Sequence, residues 1–141
     1  MIGKAGIAAL IPHAGAMCLL DSVLNWNAAE IACLATSHCD PGNPLARDGR
    51  LAAICGIEYA AQAMAVHGGL LAGSGPPPGA GYLASLREVT CLTGRLDDLK
   101  GPLLVTAAVL FGETSRVIYR FALRHGDTTL IQGCATVVLT A

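Results

Sequence analysis

Apolar and polar positions divide the chain into stretches of different character. The first, IPHAGAMCLLDSVLNWNAAEIACLATSH, opens with a short turn and holds two strand-like runs, MCLLDSVLNW and EIACLATS. NAAE sits between them where a connection belongs. CDPGNPLARDG (39–49) concentrates Pro, Gly, Asn and Asp, and reads as loop. From about Leu51 to His67 the chain is rich in Ala, Met, Leu and Ile, which predicts a helix apolar on nearly every side. Asp48 stands where a cap belongs, Gly49 eases the entry, and Gly68-Gly69 reads as a stop. GSGPPPGAG (73–81) cannot be helix or central strand. Four strand-like runs follow: YLASLREVTCL, LLVTAAVLF, SRVIYRFALRH and TTLIQGCATVVLT. RHGDT (124–128) is a tight hairpin connection between the last two.

Two strands, one apolar helix and about four more strands constrain the architecture. A helix apolar on every face has to be covered on every face. Gly56 inside it costs about 1 kcal/mol relative to alanine, which suggests that something packs close there. An antiparallel sheet of about five to six strands that curls around the helix meets both demands. That is the hotdog fold, an α+β class, here as a single domain over 1–141 with its central helix at about 51–67.

Composition narrows the functional classes. Hydrophobic residues make up 53% of the chain and charged residues 13%, so some surface is expected to be hidden in an oligomer, most simply a dimer. A net charge of −1 with scattered Lys and Arg gives no reason to expect nucleic acid or an acidic membrane as partner. Glu58 and Gln62 interrupt the longest apolar stretch, which falls short of a membrane span of roughly 20 residues. The opening MIGKAGIAALIPHAG lacks a clean cleavage signature and reads as mature protein, and a cytoplasmic location is expected. Six cysteines form no CxxC pair and mostly sit in apolar runs, as reduced core thiols would; no zinc site is expected.

The chemistry-bearing stretch is GRLAAICGIEYAAQAMAVHGG (49–69), with a carboxylate in the most apolar helix and Gln62 one turn beyond it. It resembles the β-hydroxyacyl–acyl-carrier-protein dehydratases. IPHAGAMCLLDSVLNW looks like their opening motif, and GIEYAAQAMA looks like their central-helix motif, in which glutamate is followed four residues later by glutamine. YLASLREVTCLTGRLDDLKGPLLVTAAVLF follows their Tyr-led strand, loop and strand. The likeness covers roughly 11–139, and NPLARDGRL…GIEYAAQAMAVHGG is closer still to the dehydratase-like hotdog proteins of aryl-polyene pathways. The resemblance implies that Glu58 is the catalytic acid, that two subunits share each active site, and that the substrate rides on the phosphopantetheine of an acyl carrier protein. The partner subunit is a second copy or another hotdog chain. In the family a catalytic histidine stands fourteen residues before the glutamate, where this chain has Pro44. The nearest upstream histidine is His38, twenty residues before Glu58 in HCDPGNP, and a loop six residues longer would bring it to the same place.

Dehydration of a 3-hydroxyacyl thioester to a trans-2-enoyl thioester needs a base at the α-carbon and an acid at the departing hydroxyl. Histidine titrates near neutrality and suits the first role. A carboxyl keeps its proton at neutral pH only where burial disfavours its charged form, and the helix offers that environment to Glu58. Gln62 lies on the same face and can hold the carboxyl in one rotamer. Backbone N–H groups of the first turn can meet the enolate oxygen, and the resemblance points to that of Ala53. The reaction requires no metal or nucleotide, and no bound cofactor is expected.

Blander roles stand beside these. Glu58 fits a structural buried carboxyl, and His38 fits the surface end of a strand. His13 fits a packed turn residue or a pocket-lining one. His67, beside Gly68, fits a residue bonding the last helix carbonyls. Arg87, Glu88 and Arg95 read as solvated charges, and Trp26 and Tyr82 as core or interface. A dehydratase is the leading expectation. The alternatives are a non-catalytic acyl-binding or heterodimer partner, and a hotdog thioesterase in which the helix carboxylate activates water.

Overall fold

A computed structural model describes residues 2–11, 15–73 and 81–139. A short helix α1 (Lys4–Ala8) precedes the hairpin of β1 (Ser22–Trp26) and β2 (Glu30–Ala35). The long helix α2 (Gly56–Ala72) comes next, followed by β3 (Gly81–Cys91), β4 (Leu103–Gly112), β5 (Arg116–His125) and β6 (Thr128–Leu139). Single 3-10 turns stand at Gly15–Met17, Ser37–Cys39 and Ala53–Cys55. The six strands form one sheet in the order β1-β2-β4-β5-β6-β3, antiparallel throughout. This is the hotdog architecture that the run order predicts.

Strand alternation decides which side meets the helix. Leu103, Val105 and Ala107 of β4, Tyr119, Phe121 and Leu123 of β5, and Ile131 and Ala135 of β6 all face inward. They enclose Tyr59, Ala60, Ala63, Met64 and Val66 of α2 in one core. Gly56 stands where the contact is tightest. A Cβ there would come within 3.0 Å of Ile131 Cγ2 and 3.1 Å of Leu123 Cδ2. The close approach that its cost implies is therefore present.

Both helix boundaries differ from expectation. The stretch at 53–55 is 3-10, and α2 starts at Gly56 and runs through Gly68-Gly69 to Ala72. A Cβ on Gly69 would meet Leu10 at 3.2–3.3 Å, so packing by Leu10 accounts for that glycine. Asp48 caps nothing. With φ values of 52° and 72°, Asp48 and Gly49 form the centre of a two-residue turn closed by reciprocal Arg47–Arg50 backbone bonds of 2.8 and 2.9 Å. The helix is also not covered all round. Ile54 is 54% and Leu71 48% exposed, while Glu58, Ala61, Ala65 and Gly68 between them are half-buried.

The two sheet edges are treated differently. On β1 the chain start folds back, with Val23 N–H donating to Ile2 O at 2.8 Å and Ile2 N–H to Val23 O at 3.3 Å. Among the described residues, no strand pairs with the second side of β3. Trp26 is 41% exposed at the end of β1. The six cysteines are free, and only Cys18 and Cys33 are buried, fewer than the sequence suggests. Burial pushes the Cys33 thiol up to about 12. No described helix is long and apolar enough to cross a membrane.

Candidate active site

Gln62 is fully buried, and each end of its amide is bonded to the segment that leads into β1. Leu19 N–H donates to Oε1 at 2.9 Å, and Nε2 donates to Met17 O at 2.6 Å. Nε2 also stands 3.4 Å from Oε1 of Glu58, one turn back. The pairing of Glu58 with Gln62 expected from their spacing is thus present, and Gln62 has a second, larger task. It fixes the 17–19 backbone against the helix. The Glu58 carboxyl itself sits on the half-buried face of α2, less enclosed than a helix apolar on all sides suggests.

A second network holds the loop after β2. Ser37 Oγ donates to Leu19 O at 2.7 Å, which leaves it to accept from Tyr59 O–H at 2.7 Å. Asn43 Nδ2 donates to the same tyrosine oxygen at 3.0 Å and to Ser37 O at 2.9 Å. The loop is therefore bonded to the helix at the residue next to Glu58. Burial is the main cause raising the Tyr59 hydroxyl pKa. Sequence reasoning missed Ser37, Asn43 and Tyr59. Only the Asn before Pro in DPGNP marks the loop as structured.

His38 occupies the 3-10 turn that this network anchors and is 1% exposed, so it does not end a strand at the surface. Its Nε2 lies 2.8 Å from Leu99 O. A carbonyl only accepts, which assigns the proton to Nε2 and leaves the lone pair on Nδ1. Nδ1 is buried and has no hydrogen-bond partner. Desolvation is the main cause holding the ring pKa below its usual value, with the Leu99 bond opposing it. The ring lines a pocket of about 280 Å³ with Cys39, Asp40, Pro41, Ala46, Gly49 and Asp97. Among the described residues that line this pocket, Glu58 is not one.

The expectation for Ala53 needs correction. Its N–H donates to Gly94 O at 3.0 Å, which spends the donor on the loop after β3. Arg95 is likewise no solvated charge. Its guanidinium bonds the Asp97 carboxylate, which also accepts Leu51 N–H at 2.8 Å. Arg95, then the Leu51 bond, holds the Asp97 pKa well below the usual carboxylate range. His67 is not a helix-end residue. Nε2–H donates to Asn27 O at 2.8 Å, and Tyr119 O–H donates to Nδ1 at 2.7 Å. His13 lies outside the described residues, and so does the side chain of Tyr82.

The family profile described as ApeP dehydratase, ApeP-like, matches residues 5–140. The chain is similar in structure to the dehydratase heterocomplex ApeI:P from Xenorhabdus doucetiae, with TM-score 0.84 and 21% identity over 96% of this chain and 91% of that one. It is more distantly similar to a hypothetical thioesterase with coenzyme A from Streptococcus pneumoniae, with TM-score 0.61 and 11% identity over 85% of each chain. A mutant thioesterase from Pseudomonas aeruginosa gives TM-score 0.62 and 11% identity over 84% of this chain and 79% of that one. No curated protein matches. At these identities the structural likenesses establish the fold.

Proposed function

The chain belongs to the ApeP dehydratase family, and from that premise we propose that it converts 3-hydroxyacyl thioesters on an acyl carrier protein to trans-2-enoyl thioesters. Glu58 acts as general acid on the departing hydroxyl, and His38 as base at the α-carbon. The observation that carries this reading is the His38 ring: neutral, buried, with a lone pair on an unpartnered Nδ1. A base has to be unprotonated before it can accept, and this environment keeps it so at neutral pH. Gln62 holds the Glu58 carboxyl on the open helix face. The phosphopantetheine arm presents the thioester.

Glu58 is absent from the lining of the His38 pocket, and a shared site between two subunits resolves this. The half-open face of α2 and the unpaired side of β3 supply the contact. A second hotdog chain is the proposed partner, in keeping with the likeness to a heterocomplex. Carrier-bound acyl chemistry places such an enzyme in the cytoplasm. The test mixes the chain with 3-hydroxyacyl carrier protein and follows enoyl absorbance. Product that disappears in Glu58→Gln and in His38→Gln supports the roles; product retained in both refutes them.

Pro44, at the family's usual histidine position, favours one further reading: a non-catalytic acyl-binding subunit that completes a heterodimer. In that case the chain alone gives no enoyl product, and an added active hotdog subunit restores it whether or not His38 is intact. Release of free thiol without enoyl product selects a thioesterase instead.

A further inference from the structure

The loop between β3 and β4 links the entry of α2 to the turn that carries His38. Over 94–97 it pairs with the segment leading into the helix: Ala53 N–H donates to Gly94 O at 3.0 Å, and Leu96 N–H to Leu51 O at 2.8 Å. Asp97 extends that ladder with a side chain. Its Oδ1 accepts Leu51 N–H at 2.8 Å and Arg95 Nε–H at 3.0 Å, and its other oxygen accepts from a terminal guanidinium nitrogen of Arg95. The loop then turns, with Leu99 N–H donating to Leu96 O at 3.2 Å. The turn brings Leu99 O to the 37–39 segment, where it accepts His38 Nε2–H at 2.8 Å and Cys39 Sγ–H at 3.0 Å. A carbonyl oxygen has two lone pairs, so both donors are accommodated. His125 Nε2–H donates to the next carbonyl, Lys100 O, at 2.5 Å.

We propose that Asp97 is a positioning residue for His38: by gripping Leu51 N–H it sets the loop so that Leu99 O holds the ring proton on Nε2. The proposal rests on the dehydratase reading for its effect on turnover, and on the hydrogen-bond geometry for its effect on the ring. A neutral imidazole carries one proton, and the acceptor facing one nitrogen decides where the lone pair lies. With Leu99 O in place, the lone pair falls on Nδ1, the buried atom that has no partner. Hydrogen bonds weaken steeply with distance and angle, so a small drift of the loop frees the proton to move to Nδ1. The ring then offers a donor where a base needs a lone pair. Asp97 suits the task because Arg95 keeps it ionised, so its grip does not loosen at working pH. The titratable groups around the ring are Cys39, Asp40 and Asp97 in its pocket, with His125 and Asp21 acting on it by charge. Asp97→Asn removes the charge and keeps an oxygen for Leu51 N–H, which separates grip from charge.

The experiment records nitrogen NMR spectra of isotope-labelled histidine rings in the full chain, with His38→Gln assigning the His38 signals. Wild type is expected to hold the His38 proton on Nε2 alone. A proton on Nδ1 in wild type overturns the proposal before any variant is made. Asp97→Ala is expected to average the His38 signals between the two tautomers, and Asp97→Asn to leave them as in wild type. In turnover of 3-hydroxyacyl carrier protein, Asp97→Ala lowers kcat by about ten- to 10²-fold, the cost of misplacing a reacting group, with KM within about twofold. Asp97→Asn keeps most of the wild-type kcat. Circular dichroism checks that each variant is folded, and where Asp97→Ala is not, Asp97→Ser is read in the same way. Unchanged His38 signals in the folded truncation overturn the proposal. Equal effects of truncation and Asp97→Asn overturn it too, because charge alone then accounts for them. The spectra do not depend on catalysis, so Asp97-dependent tautomers without turnover reject the dehydratase roles while the positioning of His38 stands.

Discussion

The two faces of α2 use polar groups in opposite ways. On the buried face, Tyr59, Gln62 and His67 bond to Ser37, Asn43, Met17, Leu19, Asn27 and Tyr119, so the fold saturates them. On the half-open face, Glu58 is followed by Ala61, Ala65 and Gly68, small residues that line a cavity rather than filling it. Buried polar atoms need partners, and here those partners are backbone and side-chain groups of distant segments. The same helix therefore assembles the domain on one side and carries a carboxyl and a row of cavity-lining small residues on the other. Polarity within an apolar helix does not by itself mark a site; what marks it is the unfilled volume along the same face.

Paired substitutions one turn apart give the largest contrast. Glu58→Gln is expected to lower kcat by 10²–10⁴-fold, the usual worth of a positioned general acid. Its melting temperature should stay close to wild type. Gln62→Leu should do the reverse to stability, since it strips partners from the Leu19 N–H and the Met17 carbonyl. At about 1–3 kcal/mol for each buried group left unsatisfied, a loss of about 2–6 kcal/mol is expected in denaturant unfolding. Equal effects of the two variants on stability would erase the distinction between the faces.

Tyr119→Phe tests the buried face further along. It removes the donor to His67 Nδ1 and leaves that nitrogen buried without a partner, at about 1–3 kcal/mol. The Tyr119 hydroxyl, pushed up to about 12 by burial, remains neutral over the whole working range, so this loss should not vary with pH. Unfolding curves at several pH values check both statements.

The order of elements was legible because apolar runs and turn residues alternate cleanly, and RHGDT falls where β5 meets β6. The ends of α2 were not. Gly68-Gly69 has the composition of a stop, yet one glycine makes room for Leu10 and the other faces a cavity. Asp48-Gly49 carries a cap residue and a hairpin-turn signature in the same two positions, and the turn prevailed. Within the site, the Glu58–Gln62 spacing was readable because helical periodicity brings i and i+4 together. The anchors of Gln62 lie 43 and 45 residues away, where no local pattern points. The Ala53 N–H was read as a free donor because a sequence does not reveal that Gly94 folds back to accept it.

His38 provides the smallest effect and the one that joins stability to catalysis. Desolvation sets its folded pKa below the unfolded value of about 6.5, so the native state favours the neutral ring. Between the two values the unfolded chain binds more protons, and stability rises with pH across that interval. Above about 6.5 the contribution is complete. As pH falls through the window it declines, because the native state has to accept a charge next to an enclosed Nδ1. Replacement by Gln should flatten this part of the stability profile. If His38 is also the base, kcat/KM of the wild type should keep its plateau to a lower pH than an ordinary histidine allows, with an acid limb displaced below about 6.5. An acid limb at or above that value would separate the titrating base from His38, even with the stability profile unchanged.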